Sequence, residues 1–376
     1  MRIEEFDYEL PAQRIAQHPA AQRDAARMLL LDRRSGATED AWFRQLPERL
    51  RAGDLVVFND SRVIPARLYG RRAGVRAFPL PGPRNPAQKQ FLTRRVEVLL
   101  TRRLDERTWE ALVRPGRKLP VGERIRFGGE GEAGPDNLLE AEITGRGAFG
   151  ERRLRFDWQG DFFALLERLG RLPLPPYVHR PAGAPEAAED RERYQTIYAR
   201  VPGSAAAPTA GLHFTPEVLQ RLDQQGIERT AITLEVGLGT FQPVRAAEIE
   251  GHVMHTERYA IPPAAAAAVN RARREGRRVV AIGTTVARAL EARFAAGAAA
   301  GGAELAAGEG ETDLFLYPGR ELRVVDALLT NFHAPRSTLL MLVAAFAGRE
   351  AVLSAYRHAV AAGYRFLSYG DCMLIG

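Results

Sequence analysis

Apolar residues gather in short bounded runs at the start of the chain. RMLLLD (27 to 32) and DLVVFND (54 to 60) are flanked by charged or turn residues, which predicts two buried strands lying side by side. Between 64 and 157 the texture changes. Segments of alternating apolar and polar residues, VEVLL, WEALV, ERIRF, LEAEI and RLRFD, are separated by Gly/Pro/Asn turns and carry no helical period, so a small antiparallel β-barrel is expected. The proline-rich span from 73 to 90 reads as an irregular loop.

After Trp158 the strand pattern alternates with a helical one. Thr215 before Pro216 reads as a helix cap and first turn, closed by Gly226. Gly276 ends an alanine-rich helix, RRVVAIG (277 to 283) is a strand, and Thr284 or Thr285 caps the helix that follows. Further strands are expected at AITLEV, TDLFLY, VVDALL and RFLSYG, with helices from about 337 to 346 and 351 to 361; the tract from 295 to 311 reads as a low-complexity loop. The alternation predicts an α/β body, a mostly parallel sheet flanked by helices, formed by 1–63 and 158–376, with the barrel of 64–157 inserted. A cleft between body and barrel is the natural place for a ligand.

Charge sharpens this division. The formal net charge is +7, yet 64–157 alone holds 20 Lys/Arg against 12 Asp/Glu, so the rest of the chain sums to −1. A basic excess confined to one module suits a phosphate backbone. No stretch is apolar enough to span a membrane, and the acidic start MRIEEFDYEL lacks the form of a signal peptide, so a cytoplasmic protein is expected. The single cysteine, Cys372, excludes an internal disulfide.

Most familiar motifs are missing: there is no P-loop pattern, and His252, His255 and Glu257 make a poor metal set without cysteines or a second ligand pair. In TLEVGLGTF, Gly237 and Gly239 permit close backbone approach to a ligand, but Pro243 breaks the helix a methyltransferase loop would need. Three other loops put polar residues where packing alone would not. PTAGLHFTPE offers Thr209, Gly211 and His213 before a capped helix; SYGDCM sets Tyr369 and Asp371 at a strand end; NFHAPRST places Asn331, His333 and Arg336 between the strand VVDALLT and a helix capped by Ser337 or Thr338. Loops leaving strand ends line the crevice of an open α/β sheet, so the three should meet at one ligand.

In order, VFNDSRVIPARLYG, RYQTIYA, GSAAAPTAGLHF, TLEVGLGTFQPV, AIGTTVARALE, LLTNFHAPRSTLLMLVAAFAG and YRFLSYGDCMLI closely resemble the S-adenosylmethionine:tRNA ribosyltransferase-isomerase family of queuosine biosynthesis. The resemblance implies an α/β domain carrying an inserted barrel, S-adenosylmethionine as co-substrate rather than a prosthetic group, and a tRNA anticodon stem-loop bearing the precursor base as partner. It also implies the reaction: the ribosyl part of S-adenosylmethionine moves onto 7-aminomethyl-7-deazaguanine at the wobble position and is isomerised to an epoxycyclopentane, giving epoxyqueuosine while adenine and methionine leave. A monomer is expected. There are departures: Glu235 stands where the family usually has histidine, Cys372 where a small residue is typical, and Ser61 where threonine is common.

Such chemistry needs two proton acceptors and a donor to adenine, because the sulfonium acidifies the ribose C5′ protons and the attacking amine must lose a proton. His213 and Asp371, then His333, are the candidates. Asp60, Tyr369 and Asn331 offer partners for ribose hydroxyls or the deazaguanine edge; Arg62, Arg67 and Arg336 suit a phosphate or the methionine carboxylate. Tyr177, Tyr194 or Phe214 is expected to stack on the wobble base. Two other readings of the residues are a SAM-dependent RNA methyltransferase built on TLEVGLG, and a non-catalytic RNA-binding protein built on the barrel.

Overall fold

The computed structural model describes residues 1–73, 95–116, 119–128, 139–147, 150–181, 187–237, 248–299 and 301–376. Gly239 and most of the proline-rich span lie outside the described residues. In chain order the strands are β1 (Arg27–Leu31), β2 (Thr38–Trp42), β3 (Leu55–Asn59), β4 (Ser61–Val63), β5 (Arg67–Arg72), β6 (Val96–Arg103), β7 (Thr108–Arg114), β8 (Arg124–Phe127), β9 (Leu139–Arg146), β10 (Glu151–Asp157), β11 (Gly170–Arg171), β12 (Val201–Ser204), β13 (Glu228–Leu234), β14 (Glu257–Ile261), β15 (Val279–Ile282), β16 (Gly308–Thr312), β17 (Ala327–Asn331) and β18 (Cys372–Ile375).

A nine-stranded sheet runs β16-β14-β13-β3-β15-β17-β18-β1-β2. Its central strands β3, β15, β17 and β18 are buried on both faces, and the period of two explains how: Leu55 and Val57 enter one apolar cluster while Val56 and Phe58 enter the other. The helices Pro263–Arg274, Thr284–Ala299, Thr338–Ala347 and Arg349–Ala361 supply the first cluster; Pro216–Gln224 and Phe214 supply the second.

The expected mostly parallel sheet is corrected to a mixed one. The β13–β3, β3–β15, β15–β17 and β18–β1 pairs are parallel, but β1–β2, β13–β14, β14–β16 and β17–β18 are antiparallel. The reason is countable in the chain. One crossover helix returns a strand parallel to its predecessor, whereas two helices bent by 116° lie between β17 and β18 and bring the chain back from the other end. β1 and β3 are not neighbours either, because β15, β17 and β18 separate them. RFLSYG is not a strand; β18 begins after it, at Cys372. TDLFLY contributes only Thr312 to β16, and in the tract expected as a loop from 295 to 311 residues 295–299 end the helix Thr284–Ala299, 301–307 are irregular and 308–311 begin β16.

Strands β5, β6, β7, β10, β9 and β8 close an antiparallel barrel through the β5–β8 pairing, with β11 added beside β5. Trp109, Ile125, Leu154 and Phe156 fill it, and Phe162 and Leu166 of the helix Phe162–Leu169 cap the filling. Six of its arginines meet carboxylates, the second pair buried: Arg67 with Glu97, Arg72 with Glu123, Arg102 with Glu110, Arg107 with Asp157, Arg126 with Glu140 and Arg155 with Glu142. Among the described residues no single helix is long and apolar enough to cross a membrane.

Candidate active site

β17 reads ALLTN and is wholly buried, a central strand whose ladder stops at Asn331 opposite Cys372. The chain then turns. Ser337 caps the helix Thr338–Ala347, its Oγ accepting from the Leu340 amide at 3.2 Å, as the sequence predicts. Between strand and helix the backbone is pinned from two sides. The His333 amide donates to Tyr356 Oη at 3.2 Å, its carbonyl accepts from the Tyr8 hydroxyl, and the Arg336 amide donates to the Phe6 carbonyl at 3.0 Å.

Two non-glycine residues among those described have positive φ: Arg336 at 57° and Leu367 at 70°. Both line one cavity of about 190 Å³. Side chains carried in the left-handed region cost free energy and persist where the surroundings impose them, which is commonest at functional sites. Here a buried ladder end and the bonds to Phe6 and Phe332 impose them.

Six segments wall this cavity: the turn after β17, the turn after β15 with Thr284 and Thr285, the loop from Ala206 through Ala210, the loop before β18 with Leu367 and Ser368, and the single residues Tyr177 and Val236. Gly283, at φ 97°, makes the tight turn from β15 into its helix. That helix begins at Thr284, so the two threonines form its first turn and do not precede it as caps. Because β18 runs antiparallel to β17, its N-terminal end lies beside the C-terminal ends of the parallel strands, and the loop before β18 joins the same crevice. At about 190 Å³ the cavity is smaller than the roughly 300–1,000 Å³ that encloses a whole drug-sized molecule, so it has room for only part of such a molecule.

His333 lies in the wall with its Nε2 2.8 Å from Thr330 Oγ1, and burial pushes its pKa down to about 3. His213, at the end of the 3-10 helix Thr209–His213, packs against Phe43 and is likewise held to about 3, by burial first and then by the Arg365, Arg23 and Arg193 charges, with a backbone hydrogen bond at Arg23 acting the other way. Both imidazoles are neutral at pH 7. The Asn331 amide nitrogen donates to the Leu367 carbonyl at 3.1 Å and lies 3.5 Å from His213 Nε2. Its Oδ1 is buried without a partner, as is Thr285 Oγ1; both residues line the cavity.

The sequence-predicted residues divide. Thr209, Thr284, Asn331, His333 and Arg336 line the cavity, with Arg336 ion-paired to Asp7. His213 touches it through Asn331 and opens mainly onto a small cleft beyond, shared with Tyr369. Tyr369 Oη donates to Asp190 at 2.9 Å, and Asp190 pairs with Arg180. Asp371 is buried, burial raising its pKa, but Oδ1 accepts from the Arg27 amide at 3.0 Å and Oδ2 from the Arg365 amide at 2.8 Å, so both oxygens fasten β1 to the loop before β18. Gly211 is small for packing: a Cβ there would stand 2.1 Å from Tyr198 Oη. The Gly237 amide meets Glu257 at 3.3 Å, next to the cavity-lining Val236.

Asp60, Arg62 and Arg67 lie elsewhere. Asp60 accepts from Arg200 at 2.7 Å and Thr233 at 2.6 Å beside a different groove; Arg62 and Arg67 each sit 3.5 Å from a glutamate, Glu167 and Glu97. Glu235, partly buried and raised in pKa by that burial, is not among the cavity's lining residues. Of the three aromatic candidates only Tyr177 lines the cavity, its Oη 2.7 Å from Ser368 Oγ; Tyr194 and Phe214 are core residues. Sequence reasoning missed Thr285, Thr330, Leu367 and Ser368 as lining residues, and nothing in the sequence announces the positive φ of Leu367.

Comparison with known proteins places this geometry. Residues 3–375 match the model of the family described as queuosine biosynthesis protein. Relatives named S-adenosylmethionine:tRNA ribosyltransferase-isomerase from Moorella thermoacetica and Solibacter usitatus are 53% and 52% identical, with all of both chains covered; that of Thermus thermophilus is 50% identical over 99% of each. The crystal structure of an S-adenosylmethionine tRNA ribosyltransferase from Thermotoga maritima aligns with a TM-score of 0.52 at 37% identity, covering 99% of this chain and 100% of that one. With mixed sheet, barrel and strand-end cavity all carried by a full-length match, the chain belongs to the queuosine biosynthesis protein family of S-adenosylmethionine:tRNA ribosyltransferase-isomerases.

Proposed function

We propose that this enzyme transfers and isomerises the ribosyl part of S-adenosylmethionine onto 7-aminomethyl-7-deazaguanine at the tRNA wobble position, releasing adenine and methionine. The observation that carries the reading is family membership along the whole chain. The cavity supports it with a place for the chemistry, where unpaired polar atoms of Asn331 and Thr285 share the wall with the neutral His333 imidazole, and the neutral His213 imidazole lies behind Asn331.

Three proton movements must be served: one from C5′ of the ribose beside the sulfonium, one from the attacking amine, and one to the departing adenine. His213 and His333, uncharged at neutral pH, are the acceptors in this scheme, and the imidazolium formed by the first transfer is the donor to the departing adenine. Asn331 Oδ1 and Thr285 Oγ1 take hydrogen bonds from the sugar or a base edge. Tyr177 stacks on the wobble base, which unstacks from the anticodon loop to reach the cavity. Asp371 acts as a positioning residue, since its oxygens hold backbone amides. Arg336, at the cavity mouth and partly exposed, is available to the methionine carboxylate by exchanging Asp7 for it. The barrel's positive field draws the tRNA in, and a cytoplasmic location goes with this substrate.

The test is adenine release from S-adenosylmethionine in the presence of tRNA carrying the precursor base. Free adenine and methionine are the expected products. S-adenosylhomocysteine, or no turnover with both substrates bound, would overturn the reading.

A further inference from the structure

We propose that Arg23, Arg193 and Arg365 form a phosphate site beside His213 that holds the backbone of the nucleotide whose base enters the cavity; this rests on the function proposed above and extends it. Three separate segments deliver these guanidiniums: the 3-10 helix Arg23–Ala25, the end of the helix Ala188–Arg193, and the loop before β18. All three line a cleft of about 20 Å³ together with His213 and Tyr369. That is room for roughly one water-sized atom, which suits a single non-bridging phosphate oxygen with the rest of the group at the mouth. Ser368 borders this cleft and the cavity alike, so a nucleotide can occupy both.

The hydrogen bonds of the three side chains go to backbone carbonyls, as do those of Arg103, Arg152 and Arg293 elsewhere, but here three such side chains share one cleft. Arg23 donates only to the carbonyls of Gln195, Leu212 and Glu192, at 2.9, 3.0 and 3.0 Å. Arg193 donates to the carbonyls of Ala21 and Ala20 at 3.2 and 2.7 Å, and its Nε is buried without a partner. Arg365 donates to the His18 carbonyl at 3.1 Å. Among the described residues the one carboxylate within ion-pair reach of the trio is Asp371, 3.9 Å from Arg365. Carbonyls fix the direction of a guanidinium but leave its charge uncompensated. On the barrel, by contrast, six arginines already face carboxylates. The three arginines that border His213 all belong to the body.

Phosphate fits this charge better than the amino-acid end of S-adenosylmethionine. The methionine carboxylate arrives with an ammonium and a sulfonium, which three guanidiniums repel, while a phosphodiester brings a net negative charge and geometry suited to arginine forks. An anion seated there also offsets the field that the same three arginines place on the His213 ring.

The experiment measures binding of an anticodon stem-loop RNA to Arg193→Gln, Arg365→Gln and Arg365→Lys proteins across a series of KCl concentrations, with S-adenosylmethionine affinity measured in parallel by calorimetry. Each Gln change should weaken RNA binding about tenfold and flatten the log–log salt slope by about 0.7 to 0.9, the signature of one lost phosphate contact, with Arg365→Lys keeping the slope. Arg365 is partly exposed and bonded to one carbonyl, so its variants report even where Arg193→Gln fails to fold. An unchanged slope in Arg365→Gln overturns the site, as does a loss of S-adenosylmethionine affinity with RNA binding intact. Adenine release by the unaltered enzyme decides the broader function separately.

Discussion

Asn331 and His213 meet at the seam between two pockets: the amide nitrogen at the end of β17 lies 3.5 Å from Nε2 of an imidazole 118 residues earlier in the chain. With its nitrogen turned to His213 and Leu367, Asn331 leaves Oδ1 without a bond in the cavity wall. Asn331→Ala should therefore lower kcat/KM for adenine release about 10- to 100-fold, the cost of one to two buried hydrogen bonds. The melting temperature should move little by comparison; an equal loss of stability and activity would make the residue structural.

Arg336 has two jobs that separate under mutation. Its backbone sits at φ 57°, which glycine adopts freely, while its side chain pairs with Asp7 at the mouth of the cavity. Arg336→Gly should keep or raise the melting temperature and still reduce kcat/KM at least about tenfold through a higher KM for S-adenosylmethionine. An unaltered KM would remove Arg336 from ligand binding.

Acid should loosen the fold through the two buried histidines. Both have folded pKa values near 3 against 6.5 for the free side chain, so the unfolded chain binds more protons in between. Stability is then full above about pH 6.5 and declines as the pH falls toward 3, by on the order of 2 kcal/mol per histidine at about pH 5. Denaturant titrations at about pH 7 and pH 5 check this: His213→Gln and His333→Gln proteins should each lose less between the two pH values than the unaltered chain.

Gly211 is a packing position. Its missing Cβ makes way for Tyr198 Oη and Thr196 Cγ2, at 2.1 and 2.8 Å from where that atom would be. Gly211→Ala should cost about 1–3 kcal/mol or more by overpacking, seen as a lower denaturation midpoint. A selective rise in KM with unchanged stability would restore it to the ligand site.

Legibility followed the range of the interaction. Local devices were readable: the Thr215 cap with Pro216 and the Gly226 stop, the Ser337 cap, and the alternating strands of the barrel all formed where their residues put them. Strand order was not, because β1 lies against β18 and not β3, and no local signal encodes a partner hundreds of residues away. Tyr369 and Asp371 were assigned to the end of a strand and in fact precede one; the antiparallel return of β18 brings that loop to the same crevice all the same. The charges of Asp60, Arg62 and Arg67 promised ligand contacts, but charged residues mostly find carboxylates or guanidiniums nearby, and these did. The carbonyl-bound arginines around His213 were invisible for the converse reason, since a lack of partners is a property of the folded surface alone.

The Asp371 carboxylate binds the Arg27 amide across 344 residues, at the seam where β18 slots between β17 and β1. A contact so distant along the chain adds to the share of long-range pairings, and a higher share goes with slower folding. Until that strand is inserted, β1 and β2 present an open hydrogen-bonding edge and the loop carrying Leu367 has nothing to brace it. Catalytic competence in this chain should therefore trail the bulk of secondary-structure formation during refolding, with aggregation through the waiting edge as the competing fate.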